Sequence, residues 1–189
     1  MPLRYVGRRK TRKALAALMA LVLTAFVLGY FSMPGPAHAA EIRIAVATNF
    51  ATPMAALVTA FEAASDHTVV VSAGSTGAHY AQIKNGAPFE LFFAADAERP
   101  ALLENEGLAF RGSRFTYAVG RLVLWSPRVG FVDSAGQVLE TGAFRHLAIA
   151  NPELAPYGAA AQEVLERRGL WAGLQDRIVQ GQDVGQAYS

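Results

Sequence analysis

Beyond residue 40 the chain alternates short apolar runs with segments in which apolar residues recur every three or four positions. Ile42 to Ala47 is apolar at nearly every position, which predicts a strand covered on both faces, and Thr48 and Asn49 close it. Pro53 fits the first turn of a following helix, whose apolar face is Met54, Leu57, Val58 and Phe61. A second unit follows the same plan: strand Thr68 to Val71, loop Ser72-Ala73-Gly74-Ser75-Thr76-Gly77, then a helix from Ala78 to Asn85 ended by Gly86. A third runs from Leu91-Phe92-Phe93-Ala94 through Asp96 into a helix from Ala97 to Asn105, closed by Gly107. Phe115 to Trp125 reads as a long β stretch that stops at Pro127, with Gly120 as a crossing point. Next come a strand from Leu147 to Ala150, a loop from Asn151 to Gly158, and a helix from Ala159 to Arg168 ended by Gly169. A short strand at Ile178-Val179 and a loop opening a helix at Asp183-Val184 complete the pattern.

Strands that each hand over to a helix predict an α/β fold with mostly parallel strands. The crossing point divides it into a first lobe over residues 40–119 and a second over residues 120–189. The last helix has barely begun at Ser189. A strand and a helix start without partners leave backbone groups and a core face unsatisfied, so the second lobe reads as truncated.

The first 39 residues carry a different pattern. A basic start (Arg4, Arg8, Arg9, Lys10, Arg12, Lys13) precedes an apolar run from Ala14 to Met33 and the small-residue sequence Ala37-His38-Ala39-Ala40. This is the order of a secretory signal peptide cleaved after Ala39. The apolar run is also long enough, at about 20 residues, to serve as a retained anchor. Setting the segment aside reverses the charge: six of the 17 Lys and Arg precede Ala40 and all 15 Asp and Glu follow it, leaving eleven basic residues and a net charge of −4. The basic residues that remain form no cluster able to follow a phosphate backbone, which excludes a nucleic-acid partner. With no cysteine, the chain has no disulfide, no thiolate metal site, no cysteine nucleophile and no acceptor for a lipid anchor. A freely soluble, exported monomer is expected.

In open α/β sheets, ligands sit outside the carboxyl ends of the strands, where loops enter helix N-termini. At those points the chain places neutral donors: Thr48-Asn49, Ser75-Thr76 between two glycines, and Tyr157 between Pro156 and Gly158. Helix N-termini carry unsatisfied N–H groups and partial positive charge, so a dianion can be held there without Lys or Arg. Micromolar to nanomolar capture requires about 8 to 12 kcal/mol. A hydrogen bond to a charged group contributes about 1.5–3 kcal/mol, so roughly five to seven suffice. Two loops of one lobe do not supply that many, and a clamp closing both lobes on the anion is the expected mechanism. Each feature also has a plainer reading. Ser75-Thr76 and Thr48-Asn49 suit helix caps, Tyr157 a surface aromatic beside a Pro-rich turn, and Asp96 a helix start. His67, His79 and His146 are scattered among different elements and do not suggest a metal site.

Five stretches resemble the periplasmic molybdate-binding proteins of ABC uptake systems, in matching order and spacing over the chain beyond the signal. They are Ile44 to Phe50, Gly74-Ser75-Thr76-Gly77, Gln82 to Pro88, Leu91 to Asp96 and Asn151-Pro152-Glu153. The resemblance implies a two-lobed periplasmic-binding-protein fold of type II. It also implies molybdate or tungstate as the ligand, held by neutral side-chain and backbone donors with molybdenum bound only as its oxyanion, and no cofactor. A membrane ABC permease is implied as partner. Carried over by position, the anion site falls on Thr48, Asn49, Ser75, Thr76, Tyr157 and the backbone N–H of Val184, with the main hydroxyl of the Ser75-Thr76 pair left open. Asp183 matches the pattern as a loop residue. The family continues past the equivalent of Ser189 and returns to the first lobe, where a tyrosine often reaches the anion.

Three other functions compete. One, the ligand-sensing half of a cytoplasmic regulator with the same lobe architecture, is opposed by the export signal and the absence of a DNA-binding helix pair. A protein of the same fold could take sulfate, phosphate or an organic acid; sulfate differs from molybdate mainly in size. An enzyme using Ser75 as nucleophile lacks both the G-x-S-x-G elbow and a histidine in a neighbouring strand-end loop, so no catalysis is expected.

Overall fold

A computed structural model describes residues 39–189. The predicted signal peptide therefore lies outside the described residues, apart from Ala39. The elements come in the order β1 (Glu41–Ala47), a 3-10 turn (Thr48–Phe50), α1 (Ala51–Ala63), β2 (Thr68–Gly74), α2 (Thr76–Lys84), β3 (Leu91–Phe93), α3 (Glu98–Asn105), α4 (Val138–Thr141), β4 (Leu147–Ala150), α5 (Pro156–Arg167), α6 (Trp171–Leu174), a second 3-10 turn (Gln175–Arg177), β5 (Ile178–Gly181) and α7 (Val184–Tyr188). Two sheets result, one with order β2-β1-β3 and one pairing β4 with β5, and every pairing is parallel. The expected α/β architecture with parallel strands is the one observed.

Burial explains why β1 is central. Ala45 and Val46 are fully buried and Ile44 and Ala47 nearly so, as an apolar strand flanked on both edges requires. Ile44, Val46 and Met54 form the first core, with Ile42, Phe50, Val58, Val69 and Phe93 packed around it. Of the predicted α1 face, Met54 and Val58 pack inward, while Leu57 and Phe61 stay 53% and 41% exposed. Phe61 stacks instead on the His67 ring, centroids 6.2 Å apart. The second core is Leu139, Leu165 and Leu174, flanked by Leu124, Phe144, Leu147, Leu170, Trp171 and Ile178. The short helices α4 and α6 each contribute a leucine to it, which their brief apolar patterns do not announce.

Two predictions need correction. Phe115 to Trp125 forms no strand. A strand exists through its ladder, and this segment pairs with no strand among the described residues; with β3 residues Leu91, Phe92 and Phe93, its Phe115, Tyr117 and Val119 line a groove instead. Single side chains tie this segment down instead. Tyr117 packs on Phe50 and Phe93, with centroids 4.8 and 5.3 Å away, and donates its hydroxyl to Ala94 O at 2.9 Å; Leu124 joins the second core. Pro156, Tyr157 and Gly158 belong to the first turn of α5, not to the preceding loop. Proline is most favourable at that first position, because its missing N–H has no intrahelical partner there.

Met54→Ala is expected to cost about 2–5 kcal/mol, whereas Val129→Ala, at a position 99% exposed, should stay within about 0.5 kcal/mol. Equilibrium urea unfolding followed by circular dichroism checks both.

Candidate functional site

Parallel pairing sets β1 against both neighbours so that Ala47 lies opposite Gly74, and Val46 opposite Phe93. The residues just beyond, Thr48, Ser75 and Ala95, therefore leave the sheet side by side. From the second lobe, Ala150 pairs with Gly181, which sends the chain toward the starts of α5 and α7. A small cavity lies where these ends meet. It is lined by Ala47, Thr48, Asn49, Gly74, Ser75, Thr76, Ala95, Ala155, Pro156, Tyr157, Asp183 and Val184. All six positions singled out in the sequence (Thr48, Asn49, Ser75, Thr76, Tyr157 and Val184) are among them. Its volume is about 10 Å³ for the centre of a water-sized sphere, roughly the room one water needs on that measure.

The hydroxyls differ in how they are engaged. Ser75 caps α2: its Oγ accepts from Ala78 N at 3.2 Å, and the residue is 5% exposed. Thr76 Oγ1 accepts from Ala95 N at 3.0 Å, tying the end of β3 to the start of α2. In both cases the acceptor side is occupied and the O–H remains able to donate. Thr48 Oγ1 is buried with no hydrogen-bond partner among the described residues. Leaving a hydroxyl in that condition costs about 1–3 kcal/mol, and its proton is free to be donated.

Backbone donors complete the lining. Tyr157 and Val184 occupy the second position of α5 and the first of α7, where helical bonding leaves N–H groups unused. The Tyr157 phenol reaches Gly120, where an added Cβ would clash with it. Burial first, and then the Tyr157 phenol, push the Tyr117 phenol above its ordinary value, so Tyr117 stays a neutral donor to Ala94 well above neutral pH. Gly185 brings α7 onto the first lobe: a Cβ there would lie 2.6 Å from Thr48 Cγ2. Asp183 caps α7 by accepting from Gln186 N at 3.0 Å, which commits one of its oxygens.

No Lys or Arg lines the cavity, and Asp183 brings a carboxylate to it. Ala95 and Ala155 also line the cavity, and neither carries a side-chain donor that would single it out in the sequence. Application of the strand-end rule to β3 would have found Ala95. His79 is 2% exposed and wedged under Gly74, with Nδ1 at 3.1 Å from Gln82 Oε1 and Nε2 unpartnered. It packs edge-on to Phe89 and Phe92 and does not line the cavity. Among the described residues, no group of three or more His, Cys, Asp or Glu is placed to hold a metal ion.

Comparison with known proteins places this geometry in context. Residues 42–189 match the family described as bacterial extracellular solute-binding protein. The chain is 53% identical over 152 residues to the molybdate-binding protein ModA of Azotobacter vinelandii, covering 80% of this chain and 60% of that protein. It is 44% identical over 179 residues to the molybdate-binding protein ModA of Rhodobacter capsulatus, covering 95% of this chain and 68% of the relative. The solved structure of the periplasmic molybdate-binding protein of Azotobacter vinelandii superposes with a TM-score of 0.76 at 49% identity, over 78% of this chain and 65% of that one. The chain thus spans between 60% and 68% of the length of these relatives. A match running from the second residue of β1 to Ser189, together with the strand-end cavity, establishes that the chain belongs to the bacterial extracellular solute-binding protein family.

Proposed function

We propose that this protein captures a tetrahedral oxyanion, molybdate or tungstate, and delivers it to an ABC permease in the inner membrane after export to the periplasm. It works as a monomer, without a cofactor and without catalysis. The observation that carries the reading is the buried Thr48 hydroxyl, unpartnered in a cavity that every donor singled out in the sequence also lines. The names of the relatives at 53% and 44% identity point to the same ligand.

In this reading the anion enters between the lobes and meets the Thr48, Ser75 and Thr76 hydroxyls and the Asn49 amide first. The starts of α5 and α7 then close over it, with the N–H groups of Tyr157 and Val184 facing its remaining oxygens. Each donor is neutral, and no Lys or Arg side chain lines the cavity. The helix N-termini provide the partial positive charge that a dianion needs on losing its water. Asp183 opposes any anion at close range, and its capping bond holds the carboxylate on α7. Size decides between molybdate and the smaller sulfate, since the donor chemistry serves both. Asp183 is the one carboxylate in the lining.

A thermal-shift titration with molybdate, tungstate, sulfate and phosphate tests the assignment. Stabilisation by molybdate and tungstate at low micromolar concentration, with none from sulfate or phosphate, is expected. A cooperative melt that ignores all four anions contradicts it. Thr48→Val gives a sharper contrast. Removing the unpartnered hydroxyl should raise the stability of the ligand-free protein by about 1 kcal/mol. The same change should weaken molybdate at least tenfold in calorimetry, by removing a charge-assisted bond. For Ser75→Ala the loss of the α2 cap adds about 1 kcal/mol of destabilisation to the loss of affinity, so the two variants separate in a plot of stability against binding.

A further inference from the structure

Two consecutive carbonyls of the second lobe, those of Glu153 and Leu154, are bonded to donors of the first. Leu154 O accepts from Gly77 N at 2.8 Å, and Glu153 O accepts from Arg99 Nη2 at 3.0 Å. Both donors are held ready. Gly77 is the second residue of α2, so its N–H is one of the first-turn donors that the helix does not use. Arg99 is fixed by Asp96, which accepts from Arg99 N at 2.9 Å and pairs with Nη1, the two side chains being 22% and 18% exposed. The acceptor loop is equally constrained. Asn151 Oδ1 accepts from Glu153 N at 2.9 Å, Asn151 O accepts from Leu154 N and Ala155 N, and Asn151 N donates to Gly181 O at 2.7 Å. The approach at Gly77 is so close that an added Cβ would lie 2.8 Å from Leu154 O and 3.4 Å from Arg99 Nη2. Leu154 leads directly into Ala155, Pro156 and Tyr157 of the cavity wall, whereas neither Gly77 nor Arg99 lines the cavity.

We infer that Arg99 and Gly77 form a latch that holds the two lobes closed, so that Arg99 is a positioning residue which sets how long the ligand is retained and not how fast it arrives. The ligand side of this statement rests on the oxyanion reading above. The latch bonds exist only when the lobes meet. Losing them opens the bound complex more often and raises koff, while the open, receptive form becomes more populated and kon does not fall. An arginine that merely attracted anions would do the opposite, lowering kon in a salt-dependent way on removal. Lysine separates the two roles: it keeps the charge, but a single ammonium lacks the fork that serves Asp96 and Glu153 O together.

The test is stopped-flow molybdate binding to the full chain and to its Arg99→Lys, Arg99→Met and Gly77→Ala variants. A charge-assisted bond contributes about 1.5–3 kcal/mol, so koff should rise about tenfold or more in both Arg99 variants, with kon within about twofold of the parent. Gly77→Ala should raise koff likewise without loss of fold, because alanine is the better helix former and only the lobe contact is obstructed. A parent-like koff in Arg99→Lys, or a parallel fall in kon, would overturn the latch. A ligand-independent arm uses the absence of native cysteine. Spin labels at Ala64→Cys and Arg167→Cys, one on each lobe, report the interlobe distance without any anion. Arg99→Met and Gly77→Ala should shift the distribution to longer distances. If the parent ignores molybdate yet these distances lengthen, the latch stands and the ligand assignment fails; unchanged distances refute the latch whatever the ligand.

Discussion

Parallel pairing in register is the constraint on which the rest depends. With Ala47 opposite Gly74 and Val46 opposite Phe93, the carboxyl ends of three strands reach one edge together, and the chain must turn there into its helices. A dianion can then be met by several neutral donors at once. The fold concentrates helix N-termini at that edge as a matter of topology, so no cation needs to be carried into the site. One additional pair, β4 with β5, brings the starts of α5 and α7 to the same place from the other side. The cavity is what remains between the 3-10 turn after β1 and the starts of α2, α5 and α7.

In the proposed reading, stability and binding pull in opposite directions at Thr48. Its hydroxyl is buried without a partner, a cost the folded protein bears in the absence of ligand. Ser75 and Thr76 avoid that cost, since Ala78 N and Ala95 N occupy their acceptor sides and leave the protons to give. The structural role leaves both hydroxyl protons free, so the cap reading and the proposed ligand reading of Ser75-Thr76 are not exclusive. Beside the cavity, Gly77 and Gly185 let backbone from one lobe approach the other more closely than any side chain would allow.

Much of this was legible in the sequence because it rests on local signals. Apolar runs of strand length, glycine stops after α2 and α3, and hydroxyl residues at strand ends located β1 to β3 and the Thr48, Asn49, Ser75 and Thr76 positions. Val184 followed only from the resemblance, since a backbone N–H leaves no mark in a side-chain pattern. Phe115 to Trp125 has strand-like composition, but a ladder depends on a paired neighbour, and this segment lines a groove with β3 instead. Pro156 looked like a loop residue because proline is compatible with a turn and with a first helical turn alike. Arg99 was invisible: its role depends on the carbonyl of Glu153, 54 residues away, and no local pattern encodes that meeting.

The central claim is that a tetrahedral oxyanion is held by neutral donors at converging helix starts. Crystals of the protein soaked in molybdate, with diffraction collected at the molybdenum absorption edge, test it most directly. The account predicts one strong anomalous peak between Thr48, Ser75, Thr76, Tyr157 and Val184, with four oxygens still around the metal and Thr48 Oγ1 within hydrogen-bond distance of one of them. A peak elsewhere, or molybdenum bonded directly to protein side chains, would contradict it.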